Sequence, residues 1–151
     1  MLAGGWLVAQ GLGQRPPSGA SSGAFLGASA LGTLIATLEA LLPGGADARA
    51  VAIDVDAFLA QGDRVLGGQL QLALGVLEHS AALSPLASVR FSRLSVAQRR
   101  HVIETWRRSR WGTRRRIADA LRRLALFSWY SRPEAWDAIG YDGPWIGRRG
   151  P

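Results

Sequence analysis

The sequence predicts an all-α fold, a compact domain of about five or six helices preceded by a flexible N-terminal arm. Apolar residues recur at three- and four-residue steps over most of the chain, and no segment shows the two-residue alternation of a strand. With 151 residues, 48% of them hydrophobic, the chain suffices for one domain with a sizeable core. We assign 1–23 to the arm, 24–146 to the helical domain and 147–151 to a tail.

The arm is rich in Gly, Ser and Pro, with Arg15-Pro16-Pro17-Ser18-Gly19 near its centre. Its apolar run from Leu2 to Ala9 has no basic segment before it and no arginine pair, so it does not match an export signal. The absence of a recognisable signal predicts a cytoplasmic location.

The first predicted helix has one apolar face, formed by Leu31, Leu34, Ile35, Leu38, Leu41 and Leu42. Pro43-Gly44-Gly45 is a strong breaker and ends it. The apolar stretch from Phe25 to Leu42 is 18 residues long and contains Glu39, which favours a core helix over a membrane span.

Two further helices are predicted before residue 81. Asp47 can cap the second, whose apolar residues are Val51, Val55, Phe58 and Leu59. The third extends from about Arg64 to Ser80, with Leu66, Leu70, Ala73 and Leu77 in register. Gly67-Gly68 weakens its start, because glycine costs about 1 kcal/mol against alanine inside a helix.

The clearest helix start is Ser95 followed by Gln98, the spacing of a capping box. This helix carries Val96, Val102, Ile103 and Trp106 on one side. Gly112 separates it from a helix between Thr113 and about Tyr130, where Ile117, Leu121, Leu124 and Ser128 share a face. Pro133 can open a short helix that bears Trp136.

Charge is distributed unevenly along the chain, and every basic residue other than histidine is an arginine. Residues 1–89 contain three Arg and six acidic residues, a net charge of −3, whereas residues 90–151 contain fifteen Arg and five acidic residues, a net charge of +10. Helical spacing places Arg115, Arg116, Arg122 and Arg123 opposite the apolar face of their helix. Such a face could meet a protein partner, bind phosphates, or only be solvated.

Arg99 differs from the other arginines because it falls on the apolar stripe between Val96 and Trp106. A buried charge requires an ionic partner. We therefore predict a structural ion pair between Arg99 and a carboxylate from another segment, Asp137 or Glu134.

The residues do not form a recognisable catalytic, cofactor-binding or metal-binding set. The absence of cysteine excludes thiolate chemistry and cysteine-ligated zinc. His79 and His101 have neither metal-site spacing nor the companions of a catalytic triad. We predict that the chain is not an enzyme.

A partner-binding surface is the functional prediction that the residues favour. Five of the six Trp lie within the last third of the chain, and Trp and Arg are enriched in interface hot spots. We predict contacts through Trp111, Arg114, Arg115, Tyr141 and Trp145. Two alternatives are a helical nucleic-acid-binding module that uses the arginine face and a peripheral membrane protein with basic helices on anionic lipid.

Several motifs resemble the gluconate 2-dehydrogenase subunit 3 family over about residues 31–146. They are Phe91-Ser92-Arg93-Leu94-Ser95, Gln98-Arg99, Trp106-Arg107-Arg108-Ser109, and the string from Trp136 to Pro144, "WDAIGYDGP". Upstream, Leu38-Glu39-Ala40-Leu41-Leu42-Pro43-Gly44-Gly45 is similar to that family's first helix and its proline stop.

This resemblance implies a small helical subunit that accompanies a flavin-dependent dehydrogenase of the glucose-methanol-choline type, as a companion for maturation or export. The FAD and the chemistry would lie on the large subunit, and the resemblance leaves open whether a cytochrome subunit joins the complex. It also implies a periplasmic or membrane-associated location. Many members carry a twin-arginine signal, which residues 1–23 do not contain.

Overall fold

The predicted all-α fold is confirmed by the computed structural model, which describes residues 23–62, 64–80 and 89–142. Within these ranges there are five α-helices: α1 (Ala28–Leu41), α2 (Ala48–Gln61), α3 (Arg64–Ser80), α4 (Val96–Arg107) and α5 (Gly112–Tyr130). Three short 3-10 helices are Phe91–Arg93, Pro133–Ala135 and Asp137–Ile139. The predicted arm up to residue 22 and the predicted tail lie outside the described residues.

The predicted helix starts are formed by the capping residues. The Ser95 hydroxyl accepts from the Gln98 amide at 3.3 Å, while the Gln98 side chain accepts from the Ser95 amide at 2.9 Å. Asp47 accepts from the amide of Ala50 at 2.9 Å. These three side chains satisfy backbone groups that a helix N-terminus otherwise leaves without a partner.

The centre of the fold is α1, which packs against each of the other four α-helices. Its buried residues are Leu31, Thr33, Leu34, Ala36, Thr37, Leu38 and Ala40. The Thr37 hydroxyl donates to the carbonyl of Thr33 at 2.7 Å, and the Thr33 hydroxyl donates to the Glu78 carboxylate at 3.0 Å. A helix that is covered on most sides can therefore hold two threonines without unpaired polar atoms.

Two aspartates of α2 tie distant parts of the chain to this core. The buried Asp56 carboxylate accepts from the backbone amides of Gly23, Phe25 and Leu26, so it fixes the chain at the entry to α1. Asp54 forms an ion pair with Arg132, which follows α5. The two carboxylates thus serve different segments.

Arg99 is mostly buried and ion-paired, but its predicted partner is wrong. Its guanidinium pairs with Glu39 of α1 and donates to the carbonyl of Ser92 at 2.7 Å. Asp137 lies exposed at the start of the last 3-10 helix, and neither it nor Glu134 pairs with Arg99. Glu39 reaches Arg99 because α1 packs directly on α4.

The predicted apolar faces are covered to different extents. Trp106 is buried as expected for a core residue, whereas Val96 on the same predicted stripe is exposed. In α3, Leu77 is buried but Leu66, in the same register, is half exposed. The described part of the chain therefore covers α3 less completely than α1.

Candidate partner interface

More large apolar side chains are exposed on α3 than on any other helix of the described residues. Leu66, Leu72 and Val76 are exposed large apolar residues on this one helix, and Leu72 is 70% exposed. Within α3 the residues with formal charge are Arg64 at its first position and Glu78, which is buried. An apolar helix surface with almost no charge is typical of a face that another molecule covers.

Two glycines of α3 have no packing role within the described structure. A Cβ placed on Gly68 or Gly75 would meet no atom within 4 Å. Gly67 differs, because a Cβ there would collide with the ring of Phe25. Since glycine destabilises a helix interior by about 1 kcal/mol, Gly68 and Gly75 weaken α3 without improving its internal packing.

Gly68 and Gly75 line a cavity of about 800 Å³ between α3 and the junction of α4 with α5. Its other lining residues include Leu72, Val76, Trp106, Trp111, Arg114 and Ile117. We call this the first groove.

The edge of the first groove is formed by Trp111 and Arg114. The Arg114 guanidinium lies 4.5 Å from the ring centroid of Trp111 and 5.7 Å from that of Trp106. Cation–π contacts at this distance hold the two side chains together, although Trp111 remains 55% exposed. An accessible Trp–Arg pair beside an apolar groove has the composition of an interface hot spot.

The five predicted interface residues do not form one surface in the described structure. Trp111 and Arg114 line the first groove together. Arg115 lies next to them, but its guanidinium donates to the carbonyl of Ser109 at 2.7 Å. Tyr141 packs edge-on against Trp136 at 5.4 Å and lines a different pocket with Glu134 and Asp137. Trp145 lies outside the described residues.

A second groove of about 560 Å³ lies between α2, α3 and α5. Most of its lining side chains are apolar, including Phe58, Leu66, Leu70, Leu124 and Phe127. Arg116 and Arg123 lie on its border, and Ile117 lines both grooves.

Two glutamates of the described residues have hydrogen-bond partners that lower their pKa. Burial raises the pKa of Glu78, but hydrogen bonds from the Ser92 side chain, the Ser92 amide and the Thr33 hydroxyl outweigh it, so that the pKa lies below its usual 4.5. The hydrogen bond from Arg107 and the charges of Arg107 and Arg108 lower the pKa of Glu104. The residues with described positions contain no group of three His, Asp or Glu that could hold a metal ion.

Comparison of the chain with protein-family models, with curated proteins and with solved structures finds no match. The resemblance to the gluconate 2-dehydrogenase subunit 3 family therefore stays a prediction. Among the described helices, none is both long and apolar enough to cross a membrane.

Sequence reasoning missed the exposed face of α3. Its register of Leu66, Leu70, Ala73 and Leu77 predicts one buried stripe, and periodicity does not reveal that Leu72 and Val76 on other faces also lack cover. The signal that could have found them is the absence of any charged residue between Val65 and Leu77, in a helix that the sequence predicts to be amphipathic.

Proposed function

We propose that this chain is a non-catalytic accessory subunit that binds a larger protein through the first groove and the exposed face of α3. The observation that carries this proposal is an uncharged helix face with exposed Leu72 and Val76 beside an accessible Trp111–Arg114 pair. Exposed apolar surface of this kind is costly in water and favours a protein interface. Gly68 and Gly75 lie on the same face, where a Cβ would meet no atom of this chain within 4 Å, so a partner's backbone can approach closely there.

The proposed partner is the large subunit of a flavin-dependent alcohol or sugar dehydrogenase of the glucose-methanol-choline type. This identity rests on the family resemblance of the motifs around Phe91–Ser95 and Trp136–Pro144. In this proposal FAD and catalysis belong to the large subunit, and the small chain supports its maturation or stability. A cytochrome subunit could join the same complex.

The test is an affinity purification of the tagged chain from its native host, followed by a visible absorbance spectrum of the bound fraction. We expect a large subunit with flavin absorbance. Replacing Leu72→Gln together with Val76→Gln should lower its recovery about tenfold or more, because loss of a buried apolar anchor at an interface costs over 1 kcal/mol. Trp111→Ala should lower recovery as well.

The matched control is Val96→Gln, which changes an exposed valine outside both grooves. It should leave recovery and helical circular dichroism unchanged. Equal recovery with the Leu72/Val76 variant and the parent chain would refute the surface that we assign.

Nucleic-acid binding is a second candidate function, because Arg115, Arg116, Arg122 and Arg123 are all exposed along α5. It predicts that the purified chain carries nucleic acid, in an amount that falls steeply as salt is raised. A chain that arrives with nucleic acid and without flavin would favour this function over the accessory subunit.

A further inference from the structure

The second groove is an open and mostly apolar surface bounded by three helices. Its walls are the three helices α2, α3 and α5, and along α5 the lining residues extend from Arg116 to Phe127. Eleven residues of helix span about 17 Å, or roughly three turns. The side chains of Leu66 and Phe127 at its border remain partly exposed, so the described residues leave the groove open.

The charges at this groove have one sign. Arg116 and Arg123 are its charged lining residues, and no carboxylate lines it within the described part of the chain. They are seven residues apart on α5, which places them on one side of the helix about 10 Å from each other. Both side chains are exposed, and among the described residues neither takes part in an ion pair.

We propose that the second groove binds an amphipathic helix of the partner protein that carries two carboxylates about two turns apart. Its apolar face would pack on Phe58, Leu70 and Leu124, and its carboxylates would face Arg116 and Arg123. Helix-in-groove binding uses apolar anchors at helical spacing, and rim charges select the partner and steer its approach. Charge complementarity therefore favours an acidic segment. The identity of the large protein rests on the proposed function above; the chemistry of the segment does not.

A photo-crosslinking residue at position 120 tests the occupant directly. Ala120 lines the second groove and is itself exposed, so a benzoyl-phenylalanine there reports on whatever lies in the groove. The complex is purified from the host, irradiated, and the crosslinked peptide is sequenced by mass spectrometry. The control places the same residue at Arg122, which is exposed and lines neither groove.

We expect position 120, and not position 122, to crosslink to a partner segment with apolar residues at three- and four-residue steps and Asp or Glu about seven residues apart. A crosslink to residues 1–22 of this chain, to a second copy, or to a partner segment without that pattern would overturn the proposal. An intact complex that gives no crosslink from position 120 would also overturn it.

A charge-matched pair of variants tests the two arginines. Arg116→Gln with Arg123→Gln should lower recovery of the partner roughly three- to tenfold and reduce the salt sensitivity of binding, as expected for two rim ion pairs. Arg93→Gln with Arg122→Gln removes the same charge outside both grooves and should change recovery less than twofold. Equal losses in the two variants would contradict the proposal.

The failure of this inference and that of the proposed function give different results. A flavoprotein that copurifies but crosslinks only outside the second groove keeps the proposed function and removes the acidic helix. A partner without flavin that crosslinks from position 120 through an acidic helix keeps the acidic helix and removes the flavoprotein as the partner.

Discussion

At the scale of single residues, the buried carboxylate of Glu78 joins three separate segments of the core. It accepts from the Thr33 hydroxyl of α1 at 3.0 Å, and from the Ser92 amide and hydroxyl at 3.0 and 2.7 Å. Ser92 lies in the 3-10 helix that precedes α4, so this carboxylate fixes that connection against α1 and α3. A buried acid with three donors rigidifies the packing when all of its bonds are made.

Replacing Glu78→Gln should lower the free energy of unfolding by about 1–3 kcal/mol, because an amide presents hydrogens to donor groups that need an acceptor. The hydrogen bonds hold the pKa of Glu78 below 4.5 in the folded chain. Its contribution is therefore complete above the unfolded pKa and is lost as pH falls through the folded pKa. Urea unfolding at neutral pH and at successively lower pH values measures both effects.

The variant should show less loss of stability on acidification than the parent chain. Glu134→Gln is the control, since the Glu134 side chain is 63% exposed. Its pH dependence should follow that of the parent. If Glu78→Gln and the parent lose equal stability between neutral and acidic pH, the hydrogen-bonded carboxylate is not the cause.

Arg99→Leu should lower the free energy of unfolding by about 1–3 kcal/mol, because it removes the donor to the Ser92 carbonyl as well as the partner of Glu39. Glu39→Gln should cost less, because the Glu39 side chain is 44% exposed and water can replace the guanidinium. Thermal unfolding of both variants tests whether Arg99→Leu loses more stability than Glu39→Gln. A larger loss with Glu39→Gln than with Arg99→Leu would contradict it.

Sequence reasoning identified Arg99 as a buried, paired arginine but not its partner. The first property is local, since it follows from the position of a cation among Val102, Ile103 and Trp106 on one helix. The partner depends on which helix packs against that face, and Glu39 is 60 residues away along the chain. Helical periodicity contains no information about that packing.

At the scale of elements, the helix ends were predictable and the exposure of their faces was not. Ser95 with Gln98, Asp47, and the breaker after Leu42 act within a few residues, so the sequence alone determines where α1, α2 and α4 begin or end. The exposure of Leu72 and Val76 on α3 depends on which faces of that helix α1 and α2 cover. For this reason, sequence reasoning predicted only Trp111 and Arg114 of the first groove and not the exposed face of α3.

The glycines of α3 provide a matched test of that surface. Gly68→Ala should stabilise the isolated chain by up to about 1 kcal/mol, because alanine favours helix and the added methyl group meets open space. Gly67→Ala should stabilise less or destabilise, because the methyl group displaces the Phe25 ring. Urea unfolding measures the free energy of unfolding of both variants. An equal gain in stability in both would show that the contact with Phe25 contributes little energy.

The same Gly68→Ala chain also tests the interface. If a partner backbone approaches α3 at the first groove, the methyl group should reduce recovery of the partner while it increases stability. A variant that is more stable and binds as well as the parent would mean that Gly68 does not lie under the partner.

At the scale of the whole molecule, α1 lies at the centre of the fold and α3 exposes the most large apolar side chains of the described helices. α1 contacts every other α-helix of the described residues, whereas α3 exposes Leu66, Leu72 and Val76. The arginine-rich part of the chain, which includes α4 and α5, borders both grooves through Arg114, Arg116 and Arg123. Apolar surface and positive charge are therefore adjacent, a combination that favours an apolar and acidic partner surface.

Local stability should follow this arrangement. Amides in the middle of α1 should exchange hydrogen most slowly, through global unfolding, while amides near Leu72 on the exposed face of α3 should exchange faster, because no described residue covers that face. Hydrogen-exchange mass spectrometry on the isolated chain measures both. In the complex, α3 and the start of α5 should gain protection and α1 should change little, since a partner that covers the grooves stabilises the elements that it contacts. Exchange in α3 as slow as in α1 before binding would contradict this picture, because it would mean that α3 is held by its own chain.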